Sequence, residues 1–434
     1  MKTKLRKEKV NIITLGCSKN LVDSEVMGGH LRRARIDVKH ESKKLEHNIS
    51  IINTCGFIDL AKEESINTIL EQVELKKQGK IEKVYVTGCL SERYKHNLEE
   101  EIPEVDAFFG TGELRQLLAK FKIDYKAELV GERMLATPKH YAYMKISEGC
   151  NRTCAFCAIP LMRGKHTSKP IEAIVAEAEM LVQKGVKEIM LIGQELTYYG
   201  LDIYKSRELP QLMDKLARVP GLEWIRLHYA YPSKFPIEII DVMKEHQNIC
   251  NYLDMPVQHA SDNILKAMRR QITRRETEDL IAEIRNRIPD ICLRTTLIAG
   301  FPGETDEDVE EVKQFLQKIE FDRVGIFTYS HEENTAAYEL KDNIPQEVKQ
   351  QRAEDIMEVQ RDISYEKNKA KEGKIFKVIV DKKESGKYLG RTEFDSVEVD
   401  NEIIIDSPHK LNPGDFVNVK ITRAYDYDME GEVV

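Results

Sequence analysis

Short apolar runs with a period of two alternate with longer stretches of period three to four along most of the chain. Three β-type runs open it, NIITLGC, ISIINTC and KVYVTGC, ending at Cys17, Cys55 and Cys89. Between them SEVMGGHLRRARI and IDLAKEESINTILEQVELKKQG carry helical spacing. Strand, helix, strand, helix, strand predicts an open parallel α/β domain over residues 1–135. From Tyr141 six more strand candidates follow: YAYMKIS, KEIMLIGQ, WIRLHYA, NYLDMPVQ, ICLRTTLIAG and RVGIFTYS, with helices such as PIEAIVAEAEMLVQKGV and DEDVEEVKQFLQKI between them. This sixfold β/α repeat predicts a partial barrel over 136–345, with its chemistry at the carboxyl ends of the strands. A charged helix over 346–373 leads to KIFKVIVDKK, KYLGRTEF, SVEVDNEIIID and DFVNVKITRAY, which predict a small antiparallel β-barrel over 374–434. The expected fold class is therefore α/β with an appended β-barrel.

Composition narrows the partners. With 434 residues, 32% charged and 41% apolar, the chain has an ordinary globular mix. A net charge of −8 argues against a protein that coats nucleic acid through a general basic surface. Residues 374–434 hold nine Lys or Arg against thirteen Asp or Glu, a net of −4, as much as the other 373 residues together. Such a module fits a basic protein partner, or carries generic solubilising charge. The basic head MKTKLRKEKV runs into a strand interrupted by Asn11 and Thr14, which reads as a first strand and not a signal peptide. No window approaches the ~20 apolar residues of a membrane span. The expected location is the cytoplasm, without a membrane partner, and the eight cysteines are expected as reduced thiols or metal ligands.

The densest chemistry is EGCNRTCAFCAIPLMR, Glu148 to Arg163, where Cys150, Cys154 and Cys157 are spaced C-x3-C-x2-C. Three thiolates on so short a loop can converge on one soft metal centre, and a cluster held by three cysteines leaves one iron open to a small molecule. The alternative is a structural zinc site completed by a distant ligand such as His166, although no second CxxC or HxxxH pair follows. Cys17, Cys55 and Cys89 lie at the carboxyl edge of a parallel sheet, where such folds bind ligands, and so predict a second three-cysteine site. Their alternative is the small buried hydrophobe that free cysteine often is. Cys250 and Cys292 fit neither site and read as core residues. Asp23, after Cys17, reads as a helix cap, with Asn20 and Glu25 left open. At the barrel rim stand Gly193, Gln194, Glu195, Tyr229, Tyr231, Gln258 and a structural His259, with Thr305 a helix cap. Gly300 sits in a turn or lets backbone approach a ligand closely. No catalytic residue is singled out.

The C-x3-C-x2-C spacing with Phe156 before the last cysteine is the signature of radical S-adenosylmethionine enzymes. With the upstream cysteines and a small, TRAM-like terminal barrel, the whole chain resembles the radical S-adenosylmethionine methylthiotransferases. The stretches GCSKNLVDSE at Gly16, GQELTYYG at Gly193, RLHYAYP at Arg226, DMPVQHAS at Asp254, RTTLIAGFPGET at Arg294 and FTYSHEENTAAY at Phe327 resemble the branch that modifies an aspartate of the small-subunit ribosomal protein S twelve. The resemblance implies two 4Fe-4S clusters, one on Cys150, Cys154 and Cys157 and one on Cys17, Cys55 and Cys89. It implies S-adenosylmethionine as methyl donor and radical source, touched by Phe156 near the adenine, by Gly193, Gln194 and Glu195 at the methionine amino group, and by Gly300 at the nucleoside. Gln194 replaces the family's second glycine and Glu195 stands where an aspartate is expected. The implied product is β-methylthio-aspartate on protein S twelve, free or in the assembled subunit, with a reducing electron-transfer protein as second partner. Methylthiolation of a tRNA adenosine is the alternative enzyme, disfavoured by the acidic barrel. An iron–sulfur carrier or redox sensor is the non-enzymatic alternative.

Overall fold

The first three β-type runs form the middle of a parallel sheet in the computed structural model, which describes residues 8–125 and 133–434; the basic head at 1–7 lies outside these. Its strands are β1 (Lys9–Thr14), β2 (Asp37–His40), β3 (Ile49–Thr54), β4 (Lys83–Gly88) and β5 (Ala107–Phe108), in the order β2-β1-β3-β4-β5. All four pairings are parallel. β2 and β5 are edge strands that the sequence reading did not anticipate. One is DVKH and the other two residues long, too polar or too short to display a period of two. β3, in the middle, is buried at every position, as a central strand of a parallel sheet must be. Cys17, Cys55 and Cys89 therefore follow three adjacent strands.

The six strands expected from Tyr141 onward form one parallel sheet: β6 (Tyr141–Lys145), β9 (Glu188–Ile192), β10 (Trp224–Leu227), β11 (Ile249–Asp254), β12 (Cys292–Ala299) and β13 (Arg323–Thr328). They lie in sequence order with β6 and β13 as the edges. A small antiparallel ribbon, β7 (Ser147–Glu148) with β8 (Thr167–Ser168), brackets the cysteine loop. One face of the sheet packs against the surrounding helices through Ala142, Ile189, Leu191, Ile225 and Leu253. Of the expected caps, the one at Thr305 forms where the polar signal stood, in a capping box with Asp308 ahead of the helix Asp306–Ile319. The helix Gln346–Lys369 is not a free linker, because Ala353 and Ile356 join the central core and Gln360 Nε2 donates to the Phe321 carbonyl at 2.9 Å.

The C-terminal strands β14 (Ile375–Glu384), β15 (Lys387–Thr392), β16 (Ile403–Asp406), β17 (Phe416–Ala424) and β18 (Met429–Val433) close a barrel in the order β14-β15-β16-β18-β17. β18 was not foreseen, and the SVEVD run forms a loop. That loop, with the end of β15, packs against the second face of the central sheet. Glu188 is clasped by Arg226 at 2.9 Å and Arg391 at 2.7 Å. Arg323 pairs with Asp395 at 2.6 Å, and Tyr252 Oη donates to Asp400 at 2.7 Å. Part of the acidic surplus expected to face a basic partner thus faces arginines of this same chain. Cys250 and Cys292 belong to the core at this contact, with Trp224, Tyr252 and Ile379. Among the described residues no helix is long and apolar enough to cross a membrane.

Candidate functional site

The turns after β1 and β4 can bring thiols together only because two positions lack a side chain. Gly16 has φ +86°, and a Cβ there would stand 2.7 Å from Cys55 Sγ. Gly88 has φ +102° and would place a Cβ 2.5 Å from the Thr54 carbonyl. Any other residue at either place meets both strain and a clash. Asn20 fastens the rim by donating from Nδ2 to the carbonyls of Leu15 (2.8 Å) and Thr54 (3.0 Å). Asn53 Nδ2 in turn donates to the Asn20 carbonyl at 2.8 Å. Burial pushes the Cys55 thiol up, and pushes Cys89 up to about 12 although the Arg163 guanidinium opposes it.

Cys150, Cys154 and Cys157 sit on the loop that leaves β7, beside Gly149 at φ +74°. Two of the thiols have polar neighbours at the sulfur. The Arg152 N–H donates to Cys150 Sγ at 3.4 Å, and Arg270 Nη1 to Cys154 Sγ at 3.2 Å. Tyr231 Oη lies 3.7 Å from Cys154 Sγ, and the Cys157 N–H donates to the Cys154 carbonyl at 3.2 Å. Burial raises Cys150 to about 11 and Cys157 to about 12. All six cysteines are free thiols. Among the described residues no three His, Cys, Asp or Glu side chains gather as the ligands of one metal ion. His166, the ligand a zinc reading needed, instead shares Nε2 with Ser168 Oγ at 3.1 Å.

The two rims are joined by charge. Arg163 donates from Nε to Cys89 Sγ at 3.2 Å, from Nη1 to Asp23 at 2.6 Å and from Nη2 to Asn20 Oδ1. Lys145 pairs with Asp23 and with Glu148. Asp23 is therefore no helix cap: the helix Ser18–Arg33 begins five residues earlier, with Cys17 at the cap position. Burial raises the Asp23 carboxyl, but Lys145 and Arg163 hold it below its usual value. Arg93 and Glu332, both buried, add a 2.5 Å pair between the N-terminal domain and the segment after β13. Sequence reasoning passed over Arg163, Arg270, Lys145 and Lys19, since a single basic residue carries no spacing signal.

The remaining candidates fall into different settings. Glu195 accepts from Arg152 at 3.2 Å and from both the N–H and the hydroxyl of Thr197 at 2.6 Å, so both its oxygens are engaged. Arg152 itself lies between the rings of Tyr198 and Tyr231, 4.0 and 3.8 Å from their centroids. Gln194 donates to Glu148 at 2.7 Å and keeps a buried Oε1 without a partner among the described residues. A Cβ at Gly193 would come 2.7 Å from the equally unpartnered Ser147 Oγ. Gly300 donates its N–H to both oxygens of Glu304, and its open side is filled by the Lys349 chain, an arrangement that fits a strand-end turn. Phe156 is half-buried against Ala155, Met268, Phe301 and Tyr329. His259 is structural, set between Glu304 at 3.3 Å and the Ser261 N–H at 3.0 Å.

Comparison with known proteins covers every part of this arrangement. Residues 144–316 match the radical SAM superfamily, 9–110 the uncharacterized protein family UPF0004 and 373–434 the TRAM domain. The chain is 57% identical to the ribosomal protein uS12 methylthiotransferase RimO of Flavobacterium johnsoniae over 435 residues, 100% of both chains. It is 56% identical to the protein of that name from Christiangramia forsetii, over 100% of this chain and 96% of the relative. The one from Bacteroides fragilis is 51% identical, over 99% of this chain and 100% of that one. Among solved structures, the radical S-adenosylmethionine methyltransferase TsrM from Kitasatospora setae superposes with a TM-score of 0.56, at 14% identity, over 74% of this chain and 72% of its own. The cobalamin-dependent S-adenosylmethionine radical enzyme OxsB gives 0.53 at 13% identity, over 82% of this chain and 56% of its own. At such identities the two solved structures speak for the fold alone.

Proposed function

The chain belongs to the ribosomal protein uS12 methylthiotransferases, a radical S-adenosylmethionine family, and from that membership we propose how its residues divide the work of placing a methylthio group on the β-carbon of an aspartate of uS12. Cys150, Cys154 and Cys157 would hold one 4Fe-4S cluster, and Cys17, Cys55 and Cys89 the other. The donor sets suit such groups: three free thiols in each, and a guanidinium N–H on one sulfur of each set. A cluster spreads its thiolates over separate irons, so its ligands need not gather as tightly as those of one ion. Bound there, the clusters and S-adenosylmethionine supply the one-electron and sulfur-transfer chemistry.

The protein's own contribution is orientation, charge and dryness. The Arg152 N–H favours the thiolate form of Cys150, as Arg163 does for Cys89, against the burial that favours thiols, and Arg270 donates to Cys154 Sγ. The orphan Oε1 of Gln194 suits the ammonium of the methionine moiety, whereas Glu195 acts one step removed by fixing Arg152. Phe156 and Gly300 support the loop and the turn on which these contacts stand. The four segments would act as 1–135, 136–345, 346–373 and 374–434, with the helix of the third, Gln346–Lys369, integral to the central core. A reducing electron-transfer protein and either free uS12 or the assembled subunit complete the partners.

The observation that carries this division is Arg163, which ends the short helix Ile159–Arg163 after one cysteine triplet and donates to a sulfur of the other. Mass analysis of uS12 peptides from cells with and without the gene tests the activity: a methylthio increment on one aspartate should vanish with the gene. An unchanged uS12 peptide beside a tRNA nucleoside that loses its methylthio group would transfer the activity to tRNA.

A further inference from the structure

Lys19 stands two residues after Cys17 with its side chain turned inward, only 8% exposed. Every other buried cation around the two rims has an acceptor: Lys145 and Arg163 share Asp23 and Glu148, Arg152 holds Glu195, and Arg294 holds Asp254. Arg270 is turned to Cys154 and to the Pro256 carbonyl. Lys19 makes no hydrogen bond or ion pair among the described residues. Its Nζ rests over the Tyr229 ring, 3.2 Å from the centroid. A ring face attracts an ammonium but neutralises none of its charge, so its three N–H donors have no acceptor among the described residues.

Two further observations aim this charge at an anion. The helix Ser18–Arg33 carries Lys19 in its first turn, with no side-chain cap on its first-turn amides and no acidic residue in that turn, so the positive end of its dipole adds to the ammonium. Tyr229 is held in the left-handed region at φ +61°, its N–H donating to Asp254 at 3.0 Å and its carbonyl accepting from Leu196 at 3.2 Å. Strain of that kind persists where the surroundings fix it, and here it sets the ring beneath Lys19. Tyr229 also lies two residues from Tyr231, which reaches Cys154. Lys19 thus lies between the Cys17 loop and the strand end that serves the other triplet.

We propose that the Lys19 ammonium, backed by Tyr229 and the helix amides, receives the side-chain carboxylate of the substrate aspartate. This rests on the uS12 reading above. The chemistry fits because the carbon to be modified is bonded directly to that carboxyl carbon, so anchoring the carboxylate fixes the β-carbon beside the N-terminal triplet. The carboxylate of S-adenosylmethionine is the other source of the same charge. It is disfavoured because Lys19 stands in the helix that follows Cys17 and not on the loop of Cys150.

The test is binding of a fluorescent peptide spanning the target aspartate of uS12, and of the same peptide with asparagine there, to the anaerobically purified holoenzyme, its K19M variant and its K19R variant. The wild type should prefer the aspartate peptide by roughly tenfold to a hundredfold, the range of a charge-assisted hydrogen bond. K19M should abolish that preference while binding the asparagine peptide as before, and K19R should retain most of it. Persistence of the preference in K19M, or equal loss for both peptides, overturns the proposal, as does a wild type that binds the two alike. Equal binding with K19M weakened only toward S-adenosylmethionine would assign Lys19 to the cofactor. A wild type that binds neither peptide nor whole uS12 fails at the substrate reading itself. If K19M loses iron, the wild-type pair of peptides together with K19R decides.

Discussion

The two cysteine triplets hold the same number of thiols by opposite means. Cys150, Cys154 and Cys157 share one eight-residue loop, whereas Cys17, Cys55 and Cys89 are brought together by the order β1-β3-β4 of a parallel sheet. The first triplet is a property of local chain; the second exists only when the sheet is paired in register. Yet each depends on a residue from elsewhere, since Arg270 reaches the local triplet and Arg163 crosses from the local loop to the assembled one. Locality of ligands therefore does not make a site autonomous.

The sharpest way to break this comparison is to remove thiols one set at a time. Replacing any of Cys150, Cys154 or Cys157 with Ala should abolish both cleavage of S-adenosylmethionine and methylthiolation. Replacing Cys17, Cys55 or Cys89 should abolish methylthiolation while cleavage, followed as 5′-deoxyadenosine by chromatography, stays measurable. Loss of cleavage in the second group, with circular dichroism unchanged, would show that the triplets do not divide the chemistry as proposed.

A milder intervention leaves all thiols in place. Gly16→Val puts a branched side chain where a Cβ alone already clashes with Cys55, at a φ that valine rarely adopts. The assembled triplet should lose its cluster and the local one should not, so iron per chain should fall by about half, read by metal analysis of the anaerobic protein. Strain at such a site costs on the order of 1–3 kcal/mol, small enough for the chain to fold. Equal loss from both sites would mean that the rims are coupled more tightly than their separate geometry suggests.

Smaller still are the two guanidinium substitutions. Hydrogen bonds to cluster sulfurs raise the reduction potential. Arg270→Met should therefore lower the potential of the local cluster and Arg163→Met that of the assembled one, each measured by redox titration followed by electron paramagnetic resonance. Arg163→Met should also reduce unfolding stability by about 2 kcal/mol, because Asp23 is left with Lys145 alone. A shift of the same cluster by both variants would erase the distinction.

What could be read in the sequence follows the same divide. Strands β1, β3 and β4 and the six central strands announced themselves because a parallel sheet buried on both faces demands apolar runs. The local triplet was legible from spacing, and the assembled one because three such runs end in cysteine. The loop after β15 was not legible. Its Asp395 and Asp400 look like surface acids, and only the docking of the barrel onto Arg323 and Tyr252 reveals them as interior partners. Asp23 was misjudged for a related reason: helix-start chemistry is local, whereas its real partners, Lys145 and Arg163, arrive from more than a hundred residues away.

The last prediction concerns the protein without metal, where the difference between the triplets should narrow. Burial raises Cys89, Cys150 and Cys157 to between about 11 and about 12, from an ordinary value of 9.0. Between those limits the unfolded chain has released these protons and the folded chain still holds them. The folded state thus binds more protons, and stability falls as pH rises above 9. Each such thiol should cost roughly 1.4 kcal/mol per pH unit in that window. Denaturant unfolding of the metal-free chain at pH 8 and pH 10.5 measures this, against Cys89→Ala and Cys157→Ala, each of which should flatten the dependence. Cluster assembly draws on the same protons, since ligating thiols must give them up, so reconstitution at fixed iron should be faster at pH 8.5 than at pH 7. A pH-independent rate would mean that the arginines already hold the thiolates ready, and that the guanidinium on each triplet outweighs the burial of its sulfurs.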